Sequence, residues 1–216
     1  MCLRSGAFLI NWFVDQFVGD RLSGNVFSKL EEDAQKIPIG SDGLLSLPYW
    51  SGVMNPHWDT SARGAFLGLG GGHTPAHLFR SLLEGMTLEQ ARGFAQMERQ
   101  GQVEIRRILA IGGGAASGLW PQMLADACAK PVVILDTVEA SALGAAMIAA
   151  KGAGWYPSIR EAAAAMQGRV VREHEPDPDC QRVWAELAQL YDRIYGQNAE
   201  TFKALVAFAA RHRSER

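Results

Sequence analysis

Three consecutive glycines, Gly112-Gly113-Gly114, end the apolar run Ile108-Leu109-Ala110-Ile111 and lead into Ala115-Ala116-Ser117. Glycine carries no side chain and reaches positive φ at little steric cost, so a ligand can come right up to such a backbone. A helix opening at Ser117 aims unpaired N–H groups and the positive end of its dipole into the same space. Strand, glycine turn and helix N-terminus together describe a nucleotide site. The alternative is a tight turn with no ligand, and three glycines exceed what a turn needs. Read as a dinucleotide fingerprint, the stretch gives Gly-x-Gly-x-x-Ser. Asp136 follows at the end of the next strand, about 20 residues on, where a ribose-binding acid belongs. That reading implies an NAD-dependent oxidoreductase, but Ser closes the motif and helices precede any strand.

Other residue sets have weaker chemistry. Glu139-Ala-Ser-Ala-Leu-Gly-Ala-Ala places small residues four apart, which lets a helix press on a neighbouring backbone. Glu139 itself sits in the first turn, where a carboxylate suits the dipole. His57, Asp59 and Arg63 fall within one long loop, 51–63. They read either as a catalytic set or as hydrogen bonds and an Asp–Arg pair that hold the loop together. His73 and His77 have the i, i+4 spacing of a zinc-binding helix, with no third ligand evident in the sequence.

The elements that must position these residues follow from apolar period. Residues 7–18 read as a helix stopped by Gly19 and Asp20. Asn25 is expected to cap a second helix running to Lys36, ended by Ile37-Pro38. Short strands are expected at 44–50 and 65–69. Thr74 caps a long helix, with Pro75 at its first position. A strand at 105–111 precedes the glycines, and a helix over 117–129 follows them. The β-branched run from Pro131 to Leu135 is a buried strand. Helices at 139–151, 158–166 and 180–211 complete the chain. Alternating strands and helices indicate an α/β fold.

With 216 residues, 48% apolar and 20% charged, the chain can bury a real core. Its net charge of −2 gives no reason to expect nucleic acid or an anionic membrane as partner. Cys2, Cys128 and Cys180 are odd in number and far apart, fitting neither a disulfide framework nor a metal knuckle. A reducing cytoplasm is the plain expectation.

Taken together, the segments resemble the C-terminal half of the FGGY family of carbohydrate kinases, the group with xylulokinases and glycerol kinases. The resemblance covers nearly the whole chain. It runs through Leu47-Pro48-Tyr49-Trp50-Ser51-Gly52, Pro56-His57-Trp58-Asp59 and Ala62-Arg63-Gly64. It continues through His73-Thr74, Ala76-His77-Leu78 and Leu83-Glu84-Gly85, then Gly112-Gly113-Gly114-Ala115, Lys130-Pro131-Val132 and Glu139-Ala140-Ser141-Ala142-Leu143-Gly144-Ala145-Ala146.

The family implies an α/β, ribonuclease-H-like (actin-like ATPase) C-terminal domain, here lacking its first strands, so that residues 1–216 form one partial nucleotide-binding domain. It implies that Gly112, Gly113, Gly114 and Ala115 lie against the adenosine part of ATP, with Ser117 making a polar contact to adenine. The helix from Glu139 would back that site, and Gly6 and Asn11 would be further wall positions. The implied cofactors are ATP and Mg²⁺. The implied reaction passes the γ-phosphoryl group to a hydroxyl of a ketopentose or polyol.

Departures from the family matter as much. Gly52-Val53-Met54 replaces the Gly-Glu-Arg of many xylulokinases. The Asp-Gly-Thr phosphate loop and the catalytic aspartate of the family have no counterpart in the sequence. Phosphoryl transfer needs both a phosphate cradle and a positioned base. The expectation is therefore a fragment, split subunit or truncated gene product. It would hold half an ATP site, meet sugar or polyol through a separate N-terminal domain, and associate with itself or a partner chain. The alternative is a non-catalytic, actin-like nucleotide-binding remnant or assembly subunit.

Overall fold

The longest helical pattern of the first half organises the molecule. In the computed structural model, which describes residues 6–19, 26–137 and 139–212, it forms α3, Pro75–Gly101. Thr74 enters in an extended conformation, its N–H donating to His77 Nδ1 at 3.2 Å, and Pro75 takes the first turn, where its missing N–H costs nothing. Phe79, Leu82, Leu83 and Met86 are buried along one face.

Around that face lie α1 (Gly6–Phe13), prolonged by a wider turn to Val18, and α2 (Val26–Gln35). Leu9, Phe13, Leu30 and Ala34 join the same core. Strand β1 (Leu45–Leu47) crosses α3 and pairs antiparallel with β2 (Ala65–Leu67), with Ser46 opposite Phe66. A Cβ at Gly85 would collide with the Ser46 carbonyl oxygen, so the glycine sets how closely helix and strand approach. That contact explains a residue whose helix propensity alone is unfavourable by about 1 kcal/mol. Glu84, fully buried one residue earlier, accepts from Gly40 N (3.0 Å), Ser41 Oγ (2.8 Å) and Arg80 Nε (2.9 Å).

A second layer begins at β3 (Ile108–Ala110), parallel to β4 (Val132–Leu135), with α4 (Trp120–Cys128) between them. β5 (Val170–His174) adds antiparallel to β4, giving the order β3-β4-β5. Among the described residues, β3 is paired on one edge only. Helices α5 (Ala140–Gly152) and α6 (Ile159–Met166) pack on each other. The 34-residue α7 (Pro178–Arg211) returns to the helical layer, burying Trp184, Tyr191, Ile194 and Phe202 there. None of the helices among the described residues is long and apolar enough to cross a membrane.

Several expectations shift. The strand at 44–50 shortens to 45–47, because Pro48 cannot donate to a ladder. The helix expected from Ser117 opens at Trp120, after a tight 3₁₀ turn over Gly113–Ala116. β5 was not anticipated. Cys2, Asp20 and the expected cap Asn25 lie outside the described residues.

Candidate functional site

The three glycines play three different parts. Gly112 sits at φ +81°, in the left-handed region that favours glycine. A Cβ on Gly114 would lie 2.6 Å from the Trp120 ring, so packing forbids a side chain there. Gly113 has neither constraint: its φ is ordinary, and an added Cβ would meet nothing within 4 Å. The fold therefore uses two of the three glycines, and leaves Gly113 bare and facing open space.

The helix N-terminus behind the turn is already occupied. Glu31, from α2, accepts through Oε1 from Ser117 Oγ (2.9 Å) and from Leu119 N (2.6 Å). Ser117 Oγ in turn accepts from Trp120 N at 2.9 Å. The first donors of α4 are thus taken by a carboxylate and a hydroxyl of the chain itself. The Leu119 and Trp120 amides and the Ser117 hydroxyl are therefore engaged within the chain, and Ser117 also lines the space described next. Gly118 leaves room for the carboxylate, since a Cβ there would lie 3.3 Å from Glu31 Oε1.

These residues border a cleft of about 430 Å³ between α1, α2, α3 and the glycine turn. Ile10, Phe27, Phe79, Leu83 and Trp120 form its apolar walls. Asn11, Ser28, Glu31 and Ser117 supply polar atoms, and Gly113, Gly114 and Ala116 contribute backbone. Among the described residues, Glu31 is the one charged residue in the lining. Two like charges 4 Å apart repel by about 1 kcal/mol in water and about 4 kcal/mol near a protein surface. The cleft therefore suits an uncharged, flat, hydrogen-bonding group and disfavours a phosphate. On the other side of Gly114 and Ala115, a second hollow of about 230 Å³ runs along Ile108–Ile111 to Phe94 and Leu124.

Of the residues expected at the site, Asn11, Gly113, Gly114 and Ser117 meet in the first cleft, and Ala115 lines the neighbouring hollow. Glu139 does not reach either. It is exposed at the start of α5, which leaves the end of β4 to pack on α6 instead of backing the glycine turn. Gly6 begins α1 five residues before Asn11, on a different face of the helix, and does not line the cleft. Glu31 was missed by sequence reading. In the run Leu30-Glu31-Glu32-Asp33 it looks like any solvated helix face, and only the packing of α2 reveals its role.

The other candidate sets have structural partners. Asp59 accepts from Tyr195 Oη (2.8 Å) and Ser61 N (2.7 Å), whereas Arg63 donates to the carbonyls of Thr60 and Ala62. The expected Asp–Arg pair is therefore replaced by an anchor from the loop to α7. Burial opposes ionisation of Asp59, yet these two bonds hold its carboxyl below the usual range. Burial and the bond to Asp59 push the Tyr195 hydroxyl up to about 12. The His57 ring lies against Tyr195, centroids 3.9 Å apart. His77 Nε2 meets Asp42 Oδ2 at 3.1 Å, and His73 Nδ1 accepts from Gly70 N at 2.8 Å. Asp136 Oδ1 accepts from Arg169 N (2.8 Å), which ties the end of β4 to the start of β5. The dinucleotide reading fails here: its ribose acid is engaged in the sheet, and the next strand is antiparallel.

Comparison with known proteins decides the family. The model of the FGGY family of carbohydrate kinases, C-terminal domain, matches residues 4–153. The chain belongs to the FGGY family of carbohydrate kinases. The xylulose kinase of Bacillus subtilis is 31% identical over 204 residues, which is 94% of this chain and 40% of that protein. The glycerol kinase of Bdellovibrio bacteriovorus is 37% identical over 159 residues, covering 74% of this chain and 32% of that protein. Among solved structures, the xylulose kinase of Rhodospirillum rubrum superposes with a TM-score of 0.78 at 30% identity, covering 91% of this chain and 39% of that one. The fold is thus the ribonuclease-H-like, actin-like α/β fold of these kinases. The FGGY chain spans about 40% of the length of the curated xylulose kinase it matches.

Proposed function

We propose that this chain supplies the nucleoside half of the ATP site of a carbohydrate kinase. The observation that carries the reading is the cleft: apolar walls, one carboxylate, no cationic lining residue among the described residues, and a bare Gly113 that the fold does not require. Adenosine fits such a lining, and a triphosphate does not. The phosphates and Mg²⁺ would then leave the cleft past Gly112 and Gly113, toward groups outside it. The acceptor is proposed to be a hydroxyl of a ketopentose or polyol, and the setting the cytoplasm. Within the cleft the chain's own residues bind and orient the nucleoside; transfer would need a base and a phosphate cradle from the remaining length of a full kinase.

We propose further that such a segment docks on the open edge of β3. Leu109 and Ile111 are half exposed there, beside the apolar hollow, and Ile148 on α5 is exposed as well. An unpaired strand with exposed apolar residues invites pairing with another strand.

The test is ligand binding to this chain by calorimetry and thermal shift. Adenosine has about 19 non-hydrogen atoms, and roughly 0.3 kcal/mol for each corresponds to a dissociation constant near 0.1 mM. Adenosine and ATP are expected to bind within a few fold of one another. Gly113→Ala should leave stability within about 1 kcal/mol and weaken adenosine severalfold. A chain that binds neither adenosine nor ATP at millimolar concentration would overturn the reading. So would one that phosphorylates xylulose unaided.

A further inference from the structure

The geometry points to Glu31 as the residue that selects the nucleobase, by accepting a hydrogen bond from an exocyclic amino group. This rests on the nucleoside reading of the cleft. Both bonds that anchor the carboxylate, from Ser117 Oγ and Leu119 N, end on Oε1. Oε2 takes neither of them, and the residue lines the cleft. The carboxylate is thus held in one orientation from behind, and among the described residues nothing else donates to its second oxygen, which is left to meet an incoming donor.

The walls say which part of the ligand comes near it. The apolar side chains, Phe79 and Leu83 buried deepest among them, make a slot for a flat ring. The glycine side is the bare one: Gly113 lines the cleft, and an added Cβ there would meet nothing within 4 Å. A nucleoside therefore enters base first, with its ribose toward the glycines. At the 6-position a 6-amino purine presents N–H to Glu31, whereas a 6-oxo purine presents a carbonyl oxygen there and has its donor at N1. Ser117 acts as a positioning residue in that it holds Glu31.

Calorimetric titration of the full chain with adenosine and with inosine tests this, because both are neutral and differ at the 6-position. A hydrogen bond to a charged group is expected to favour adenosine by about tenfold or more. Glu31→Gln keeps the shape and can donate to a carbonyl, so the ratio should fall to within about twofold. Ser117→Ala keeps the charge but removes one anchor, and should lower the ratio in the same direction. It keeps the test open should E31Q fold poorly. An adenosine preference that is absent in the wild type, or unchanged in both variants, overturns the assignment while the nucleoside reading stands. An unchanged preference combined with weak binding of 2′-deoxyadenosine also overturns it, by placing the carboxylate at the ribose. Binding of neither nucleoside overturns the nucleoside reading itself.

Discussion

The helical layer around α3 and the three-stranded layer around β4 are built to different standards. In the first, side chains from α1, α2, β1, α3 and α7 close on one another, and even its charges are paired: Glu84 with Arg80, Glu89 with Arg92. In the second, the continuous buried cluster is Ile108, Leu124, Ala125 and Val132. Around it Leu109, Ile111, Ile148, Val170 and Val171 are exposed. The first layer has the larger closed core, although Phe8, Phe17 and Phe27 are exposed on it, and the second buries a smaller one. The candidate cleft sits where they meet, its walls from the helical layer and its glycine turn from the other.

That contrast can be broken by mutation. Leu82→Ala, at a fully buried position in the helical core, should cost about 2–5 kcal/mol in urea unfolding. Ile108→Ala borders an existing hollow, gives up fewer contacts, and should cost only about 1–2 kcal/mol. Equal costs would end the distinction.

Acid should weaken both layers through one histidine each. Burial, then the nearby Arg92 charge, holds His57 below its ordinary value of 6.5, and burial with Arg172 does the same to His174. Above that value neither state is protonated and the contribution is constant. As pH falls through it, the unfolded chain takes up the proton first, so stability declines toward the lower folded values. His57→Gln and His174→Gln should each remove part of this slope, read as the urea midpoint between about pH 7 and 5.

The smallest effect on stability is expected from Leu109→Lys, within about 0.5 kcal/mol because the side chain is half exposed. Its value lies elsewhere. A charge on that edge should abolish docking of a complementing segment, scored by co-purification, while adenosine binding persists.

Much of this was legible beforehand because it is local. Thr74-Pro75 announces the start of α3, and Pro131 to Leu135 is β-branched enough to be a strand anywhere. Val170–His174 gave no such signal. It contains two adjacent valines, both exposed, and a charged remainder, so only pairing with β4 makes it a strand. The glycine turn was equally plain, but its electrical character was not. The three glycines before a helix give no sign of the carboxylate, 88 positions before Leu119, that sits on that residue's amide. Asn11 lines the cleft because α1 is positioned by its own apolar face, whereas the place of Glu139 depended on where α5 would lie.

The carboxylate seated on α4 also has a consequence for kinetics. A phosphate-binding loop draws its ligand from a distance, and its association rate falls as salt is added. Here the described lining of the cleft offers a polyanion one negative charge and no positive one. Its arrival should be unaided, near the 10⁵–10⁶ M⁻¹s⁻¹ of uncharged encounters, and should quicken as salt shortens the Debye length to about 10 Å at 0.1 M. Neutral adenosine should arrive at the same rate in any buffer. The sign of that salt dependence distinguishes a nucleoside pocket from a phosphate cradle without any substitution in the chain.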